Sequence, residues 1–222
     1  MTRMFGFSGN YSRPSRTRSL VEHAVRYLPE ADAQHAVVHD VLDFGQDLAA
    51  SFGRAGLPDR AEALLCQMER AQGLIIGAPV FKGSFPGLFK HVIDMLDPSA
   101  LTDKPVLLLA TGGGHRHALV VEHALRPLFA FFGARTMPFA VYAGGDDFVD
   151  GELIAPQVRE RLAAASRQFA EAVKDARRHG RRERDVEECP DQARFAASPV
   201  PRCREAAISP LPVSLAAGSK PQ

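Results

Sequence analysis

Residues 105–114, PVLLLATGGG, form an apolar run that passes directly into three glycines. Four comparable short runs are visible, at Met4–Ser8, 36–42, Gly73–Pro79 and 136–142. Longer segments with helical periodicity separate them, a pattern typical of a parallel sheet covered by helices. The chain is therefore predicted to be an α/β protein with five strands, and its fourth strand ends at Thr111.

The predicted helices cover about residues 16–28, 59–71, 85–96, 116–132 and 152–176. Because crossover connections between parallel strands are right-handed, few strand orders remain possible. The order 2-1-3-4-5 is a common one for five such strands. The sequence thus predicts a three-layer sandwich, with helices on both faces of a five-stranded parallel sheet.

The composition changes near residue 177, where the basic run RRHGRR begins. Residues 1–176 are predicted to form the folded domain. Residues 177–222 are predicted to be a disordered tail, because prolines multiply there and no apolar periodicity persists. Acidic residues follow the basic run and Phe195 is the one aromatic residue of this segment, which disfavours a nucleic-acid-binding arm.

The overall composition bounds the function. A formal net charge of +1 gives no electrostatic reason to expect binding to nucleic acid or to an anionic membrane. No apolar run approaches the roughly 20 residues that span a bilayer, and no signal sequence is visible, so a cytoplasmic location is expected. No metal site is predicted, because Cys66, Cys189 and Cys203 form no CxxC pair and no sensible ligand set surrounds His115, His117 and His123.

In a sheet of this order, ligands bind beyond the carboxyl ends of the strands, where strands 1 and 3 diverge. The loop after strand 1 is SGNYSRPSRT, residues 8–17. It lacks the glycine patterns of dinucleotide and P-loop sites. Its hydroxyls and arginines, followed by a helix N-terminus, instead indicate a site for a monophosphate. The alternative is that Ser15 or Thr17 only caps the helix and the arginines are solvated.

The loops after strands 3 and 4 are APVFKGS, residues 78–84, and TGGGHRH, residues 111–117. The first of these offers an apolar wall and a backbone edge to a planar ring, and Lys82 would neutralise charge on that ring; a surface turn with a solvated lysine is the alternative. The glycines of the second allow bare backbone to approach a ligand, or they provide flexibility alone.

At these three loops the chain resembles the NAD(P)H-dependent FMN reductases of the sulfonate-utilisation type, within the flavodoxin-like flavoprotein superfamily. The likeness covers about residues 3–176. The matching segments are S-x6-S-R-T in the first loop, P-V-F-K where the family has P-V-Y-K, and ATGGGHRHALVVEHALRP at residues 110–127. The resemblance implies a flavodoxin-like fold, FMN as a loosely bound cofactor or substrate, and NADH or NADPH as the reductant.

The resemblance also implies which residues bind FMN. Around the phosphate it places Ser8, Ser15, Arg16 and Thr17. Along the isoalloxazine it places Pro79, Val80, Phe81, Lys82 and Gly83. At the other edge of the ring it places Thr111, Gly112, Gly113 and Gly114. No catalytic side chain is required when hydride passes between two cofactors, so Lys82 is only an electrostatic candidate.

Three positions depart from or divide the family pattern. The first loop is one residue longer than usual, and Phe81 lacks the hydroxyl of the family's tyrosine. His123 occupies the position where alkanesulfonate-type members insert a tyrosine and the methanesulfonate-type branch has histidine. Because an inserted residue produces a π-bulge, His123 is expected in a π-bulge at a subunit contact, where it would loosen FMN. A routine surface histidine is the alternative.

The implied function is an FMN reductase that supplies reduced flavin to a flavin-dependent monooxygenase in sulfonate metabolism, as a homodimer or homotetramer. A second hypothesis is an enzyme that retains FMN and reduces a quinone, an azo dye or a metal oxyanion. A third is a flavodoxin-like electron carrier without catalytic activity. Such carriers are usually strongly acidic, whereas this chain is close to neutral.

Overall fold

A parallel sheet forms the centre of the protein, seen in a computed structural model that describes residues 4–187, with side chains described as far as residue 179. The strands are β1 (Met4–Ser8), β2 (Ala36–Asp40), β3 (Gly73–Pro79), β4 (Pro105–Thr111), β5 (Arg135–Thr136) and β6 (Val141–Ala143). Their order is β2-β1-β3-β4-β5, and β6 also pairs with β4 in parallel. The predicted order 2-1-3-4-5 is confirmed, because β5 and β6 together occupy the fifth position.

Helices cover both faces of the sheet, and a small antiparallel hairpin of β7 (Phe148–Val149) and β8 (Glu152–Leu153) follows it. The helices are α1 (Arg16–Arg26), α2 (Glu30–Ala33), α3 (Asp59–Arg70), α4 (Gly87–Asp94), α5 (Arg126–Phe131) and α6 (Pro156–Glu187). Short 3₁₀ segments lie at Val41–Phe44, Gln46–Ala50, Arg54–Gly56, His115–His117 and Gly145–Asp147, and a π-helical turn lies at Val121–Leu125.

Two apolar cores sandwich the sheet. Every residue of β3 and β4 is buried, and successive side chains alternate between the two faces. Leu74 and Ile76 pack with α3, α4 and the helical segments that end at Phe132. Ile75 packs on the opposite face with α1 and α6. The two cores, one on each face, confirm the three-layer sandwich. Because both faces are buried, β3 and β4 are continuous apolar runs in the sequence, and their bounds were predicted correctly.

The fifth strand differs from its prediction as one continuous run at 136–142. Thr136 lies opposite Val106 and Val141 opposite Leu109, so residues 137–140 face only Leu107 and Leu108. Two residues are therefore extra, as in a β-bulge. Pro138 lies within this insertion, and because it has no N–H it cannot contribute to the ladder of hydrogen bonds.

Other predicted boundaries also differ, several of them by only one or two residues. Strand 2 ends at Asp40 instead of residue 42, because the side chains of Asp40 and Asp43 cap a 3₁₀ segment that begins at Val41. The helix predicted at 116–132 is divided into 3₁₀, π and α segments. The last helix begins at Pro156 instead of residue 152, because residues 152–153 form β8, and it continues past the predicted end at 176 to Glu187. Residues 188–222, with Cys189 and Cys203, lie outside the described residues, so the disordered tail stays a prediction.

Helix α1 lies unusually close to the sheet, and this closeness sets the position of its N-terminus. A Cβ atom built on Gly77 of β3 would lie 2.5 Å from Cγ2 of Val21. A Cβ on Gly6 of β1 would lie 2.9 Å from Cγ1 of the same valine. Glycine at both positions therefore allows the Val21 side chain to contact the strand backbones directly.

Substitution of Gly77 by alanine is expected to destabilise the protein by about 1–3 kcal/mol, the usual cost of forcing an extra methyl into a packed core. Gly56→Ala is the matched control, since a Cβ there would meet no atom within 4 Å. Urea unfolding of both variants measures the difference. A second substitution, Val21→Ala, should recover part of the loss in Gly77→Ala. Equal stability of the two glycine variants would contradict the close packing.

Candidate active site

The three predicted loops meet at the carboxyl edge of the sheet. The backbone N–H of Gly9 donates to the carbonyl of Gly77 over 2.7 Å, which joins the first loop to strand β3. The N–H of Val80 donates to the carbonyl of Thr111 over 2.7 Å, which joins the second loop to the third. The hydroxyls of Thr17 and Thr111 are 2.6 Å apart and buried, so the first and third loops are also in direct contact.

Most hydroxyls of the first loop already have a protein partner. Ser8 is fully buried and donates its hydroxyl proton to Oδ1 of Asn10 over 2.6 Å. Thr17 is buried against Thr111. Ser15 is the N-cap of α1 and accepts a hydrogen bond from the N–H of Arg18, so the capping alternative describes its geometry. An N-cap hydroxyl that accepts still has its own proton to donate to a ligand.

The three arginines near this loop differ in availability. Arg13 donates from Nε and Nη2 to both carboxylate oxygens of Asp40, over 2.8 and 2.7 Å. Arg18 bonds to Glu22 over 2.8 Å and to Asp40 over 3.0 Å. Arg16 is exposed and forms no ion pair with any side chain that the structure describes. Arg16 is thus the cation that remains available to an anion at the start of α1.

A cleft of about 500 Å³ opens beside this arginine. It is lined by Pro14, Ser15, Arg16, Phe148, Asp150 and Gly151. The Arg16 guanidinium also reaches the loop after β6, since its Nη1 is 3.1 Å from the position that a Cβ on Gly145 would occupy. The start of α1 therefore faces open space beside Arg16, whose charge has no ion-pair partner among the side chains that the structure describes.

The ion pairs of Asp40 and Asp43 were missed at the sequence level. Burial alone would raise the pKa of Asp43, but the hydrogen bond from the N–H of Asp40 and the Arg13 guanidinium outweigh it and lower that pKa to about 2. Burial likewise opposes ionisation of Asp40, and hydrogen bonds from Arg13 and Arg18 keep its pKa below the ordinary value. The hydrogen bond to Asp40 in turn raises the pKa of Arg13. The D-V-L-D spacing of a capping box was the available signal.

The second loop is a tight turn that presents backbone donors. Phe81 and Ser84 exchange backbone hydrogen bonds over 2.8 and 3.1 Å, and the intervening Lys82 and Gly83 have φ values of 53° and 87°. Positive φ at both central residues defines a type I′ turn. Lysine rarely adopts this conformation, and such strain is found mainly at functional sites. The N–H groups of Lys82 and Gly83 have no partner among the described residues.

An aromatic contact links this turn to the first loop. The ring of Tyr11 meets the ring of Phe81 edge to face, with centroids 5.3 Å apart. Each residue is 43% exposed, so the pair forms an open apolar wall at the site. Sequence reasoning included Phe81 and overlooked Tyr11, because only the fold brings the two loops together.

The third loop contains glycines with two different functions. A Cβ on Gly112 would lie 2.2 Å from the Tyr142 hydroxyl, so glycine there is required by packing within the protein. The same hydroxyl donates to the carbonyl of Gly114 over 2.5 Å and holds the loop in place. Gly113 and Gly114 have open space where a Cβ would be. Their N–H groups make no hydrogen bonds with the part of the chain that the structure describes.

The histidines that cluster in the sequence have different surroundings in the structure. The ring of His115 lies against Tyr142, with centroids 6.3 Å apart, and is in contact range of Gly144. Residues Val121–Leu125 form a π-helical turn, which confirms the predicted geometry around His123. The His123 side chain is exposed. Across residues 4–187, no group of three or more His, Cys, Asp or Glu side chains is arranged to hold a metal ion.

These features suit FMN. Four loop N–H groups, at Lys82, Gly83, Gly113 and Gly114, have no partner within the described part of the chain, and they match the carbonyl-rich edge of a flavin ring. The Tyr11–Phe81 pair supplies an apolar wall. The N-terminus of α1 and Arg16 supply positive potential for a phosphate. Which of these groups bind FMN stays a prediction, as do the individual positions named from the sequence.

A family model described as NADPH-dependent FMN reductase matches residues 2–147. The chain belongs to this family. A relative from Pseudomonas fluorescens, "NADH-dependent FMN reductase SfnF", is 42% identical over 76% of this chain and 90% of its own length. An "FMN reductase (NADPH)" from Pseudomonas aeruginosa is 40% identical over 73% of this chain and 88% of its own. The protein is thus an FMN reductase, an oxidoreductase that uses FMN and NAD(P)H.

Solved structures agree with the fold of this FMN reductase. An oxidoreductase from Corynebacterium diphtheriae superposes with a TM-score of 0.68 and 28% sequence identity, covering 78% of this chain and 98% of the other. The flavodoxin-like fold implied by the resemblance is confirmed. Within the described residues, no helix is long and apolar enough to cross a membrane.

Acid is expected to weaken the ion pairs of this site within a defined pH window. The folded pKa of Asp43 is about 2 and its ordinary value is 3.8, so its stabilising contribution is complete above pH 3.8 and is lost as the pH falls towards 2. Asp43→Asn removes this titration. The unfolding free energy of Asp43→Asn should therefore fall less steeply than that of wild type in this window. Urea unfolding at several pH values measures the slopes, and Asp146→Asn in an exposed turn is the control. Parallel slopes for wild type and Asp43→Asn would refute the assignment.

Proposed function

We propose that this FMN reductase releases reduced FMN as a product, for use by a flavin-dependent monooxygenase in sulfonate sulfur metabolism. The observation that carries the proposal is the π-helical turn Val121–Leu125 with His123 exposed at its centre. A π-helical turn inside a helix is frequently found at a functional site. In the family that the sequence resembles, this position is associated with flavin release.

The proposed binding mode follows the availability of donors. Arg16, the Ser15 hydroxyl and the first N–H groups of α1 receive the FMN phosphate. Ser8 and Thr17 lie behind them and hold the loop, since their hydroxyls are engaged with Asn10 and Thr111. Residues 79–83 line one side of the isoalloxazine, and residues 111–114 approach its other edge.

The chemistry assigned to this site is hydride transfer from C4 of the nicotinamide to N5 of FMN, which needs no acid or base from the protein. The protein would bind the two partners in contact and tune the charge around the ring. Lys82 is held by its strained turn at the ring's proposed edge, where a positive charge favours an anionic reduced flavin. We place the reaction in the cytoplasm, which supplies NADH and NADPH; cell fractionation checks this location.

The decisive measurement is anaerobic oxidation of NADH and of NADPH by flavin-free protein, with FMN titrated in. The expected result is consumption of FMN over many turnovers, with free reduced FMN accumulating in solution. Activity that appears only when a quinone is added to tightly held FMN would replace this proposal with the retained-flavin reductase. Absence of NAD(P)H oxidation with any acceptor would instead indicate an electron carrier.

Lys82→Ala is expected to lower kcat/KM for FMN about tenfold. The reason is that it removes one favourable electrostatic contact, and a contact of about 1.4 kcal/mol corresponds to a tenfold change. Lys82→Arg keeps the charge and should retain most of the activity. Steady-state kinetics with saturating NAD(P)H measure both variants. Unchanged rate and affinity in Lys82→Ala would remove Lys82 from the site.

His123→Ala is expected to slow release of flavin and to leave more FMN bound after gel filtration than wild type retains. Absorbance at the flavin maximum measures the retained fraction, and His179→Ala, on the exposed end of α6, is the control. If flavin affinity and turnover are unaltered in His123→Ala, the histidine is an ordinary surface residue.

A homodimer or homotetramer is part of the same proposal. Leu119, in the turn just before the π-helical turn, is 64% exposed, and Phe131 of α5, just after it, is 73% exposed. Large apolar side chains this accessible are common where subunits meet. Light scattering of the purified protein determines the subunit number.

A further inference from the structure

The end of strand β2 carries a buried charge. It lies beside the loop at residues 8–17, the proposed phosphate loop. Asp40 has no solvent exposure, and its carboxylate accepts three hydrogen bonds from guanidinium groups, two from Arg13 and one from Arg18. A carboxylate removed from water persists in the ionised form only when it is paired and hydrogen-bonded in this way. Asp40 is therefore an anchor of fixed geometry.

The same carboxylate also holds the loop by neutral contacts. It accepts from Nδ2 of Asn10 over 3.3 Å and from the N–H of Leu42 over 3.1 Å. Asn10 in turn receives the hydroxyl proton of Ser8 and donates to the carbonyl of Ser12 over 2.9 Å. Asp40 is thus connected directly to Arg13 of the phosphate loop, and through Asn10 to Ser8 and Ser12.

These side-chain contacts are the main restraints on the loop's centre. Among the described residues, no backbone-to-backbone hydrogen bond is made by residues 11–14. The carbonyl of Asn10 accepts from the N–H of Val41, and ordinary helical bonding resumes at Ser15. Without Asp40, the segment between Asn10 and Ser15 would lose its bonds to the end of β2, and Arg13 would retain its hydrogen bond to Asp43 over 2.8 Å.

The cluster also determines which cation faces the ligand. Arg13 and Arg18 are matched by Asp40 and Asp43, so the two positive charges are neutralised by two negative ones. His39 and Arg60 face the outer side of Asp43 at 3.4 and 3.9 Å. Arg16, which follows Ser15 directly, has no such partner in the described part of the chain.

We infer that Asp40 is a positioning residue for recognition of the flavin phosphate: through Arg13 and Asn10 it holds the loop so that Ser15, Arg16 and the start of α1 receive the anion. The inference rests on the proposed function, because it takes FMN as the ligand of this loop. It assigns Arg13 to the support of the loop and leaves the anion to Arg16. Preference for FMN over riboflavin, which lacks the phosphate, should then depend on a side chain that touches neither flavin.

The test compares FMN with riboflavin in Asp40→Asn and Arg13→Lys. Asp40→Asn keeps the shape of the side chain and removes the charge that orients the guanidinium. The FMN-to-riboflavin ratio of kcat/KM should fall about tenfold, the effect of losing one charge-assisted hydrogen bond. Arg13→Lys keeps the charge without the bidentate geometry and should give a smaller fall. The Arg13 side chain is 47% exposed, so this variant is expected to fold even if Asp40→Asn does not.

Glu62→Gln is the matched control. Glu62 pairs with Arg54 in a separate ion cluster on α3, over 2.8 Å, and its loss should lower stability without changing the ratio. An equal shift of the ratio in Glu62→Gln would attribute the effect to stability alone and overturn the inference. Unchanged ratios in both Asp40→Asn and Arg13→Lys would also overturn it. A rise in Asp40→Asn would show that Arg13, once released, binds the phosphate itself, and would overturn it too.

Equilibrium binding separates this inference from the proposed function. Quenching of flavin fluorescence measures FMN and riboflavin affinities of the same variants without NAD(P)H. If wild type prefers FMN and the preference falls in Asp40→Asn, the inference holds even where no turnover is detected and the reductase proposal fails. If wild type reduces FMN but binds riboflavin equally well, the reductase activity stands and the inference is wrong.

Discussion

The contact of α1 with the sheet is the constraint on which the site depends. Val21 packs against the backbone of β1 and β3 because Gly6 and Gly77 have no side chain at those points. The helix axis is therefore closer to the strands than ordinary side chains would permit. This closeness brings Thr17 within 2.6 Å of Thr111 and so connects the first loop with the third. Packing deep in the domain thus determines where the helix N-terminus is directed.

Most of the positive charge near the first loop, residues 8–17, is neutralised by neighbouring carboxylates. Three arginines lie within six residues of one another, and an uncompensated cluster of that size would repel itself and hold an anionic product strongly. Two of them are neutralised by buried or half-buried aspartates at the end of β2. Among the residues that the structure describes, the loop therefore presents one guanidinium without an ion-pair partner, that of Arg16, which is compatible with the proposed release of the flavin after reduction.

Much of the fold could be predicted from the sequence because burial controls it. Strands β1, β3 and β4 are buried on both faces, and continuous apolar runs specify such strands with little ambiguity. The fifth strand could not be predicted correctly, since its apolar run conceals a two-residue insertion around Pro138. The meeting of the three loops at the carboxyl edge of the sheet followed from strand order. The ion pair of Arg13 with Asp40 did not, because the two residues are 27 positions apart in the sequence and meet only through strand pairing.

The interruption between β5 and β6 has a consequence for how this edge of the sheet can pair with a strand of another chain. The last strand position forms one edge of the sheet, and an uninterrupted edge offers a row of free N–H and C=O groups to any passing strand. Here the edge consists of two pieces, Arg135–Thr136 and Val141–Ala143, with a proline-containing bulge between them. A second chain could pair with only two or three residues before its register failed. Assembly through continuous sheet extension is thereby disfavoured at this edge, which β5 and β6 form opposite the edge strand β2.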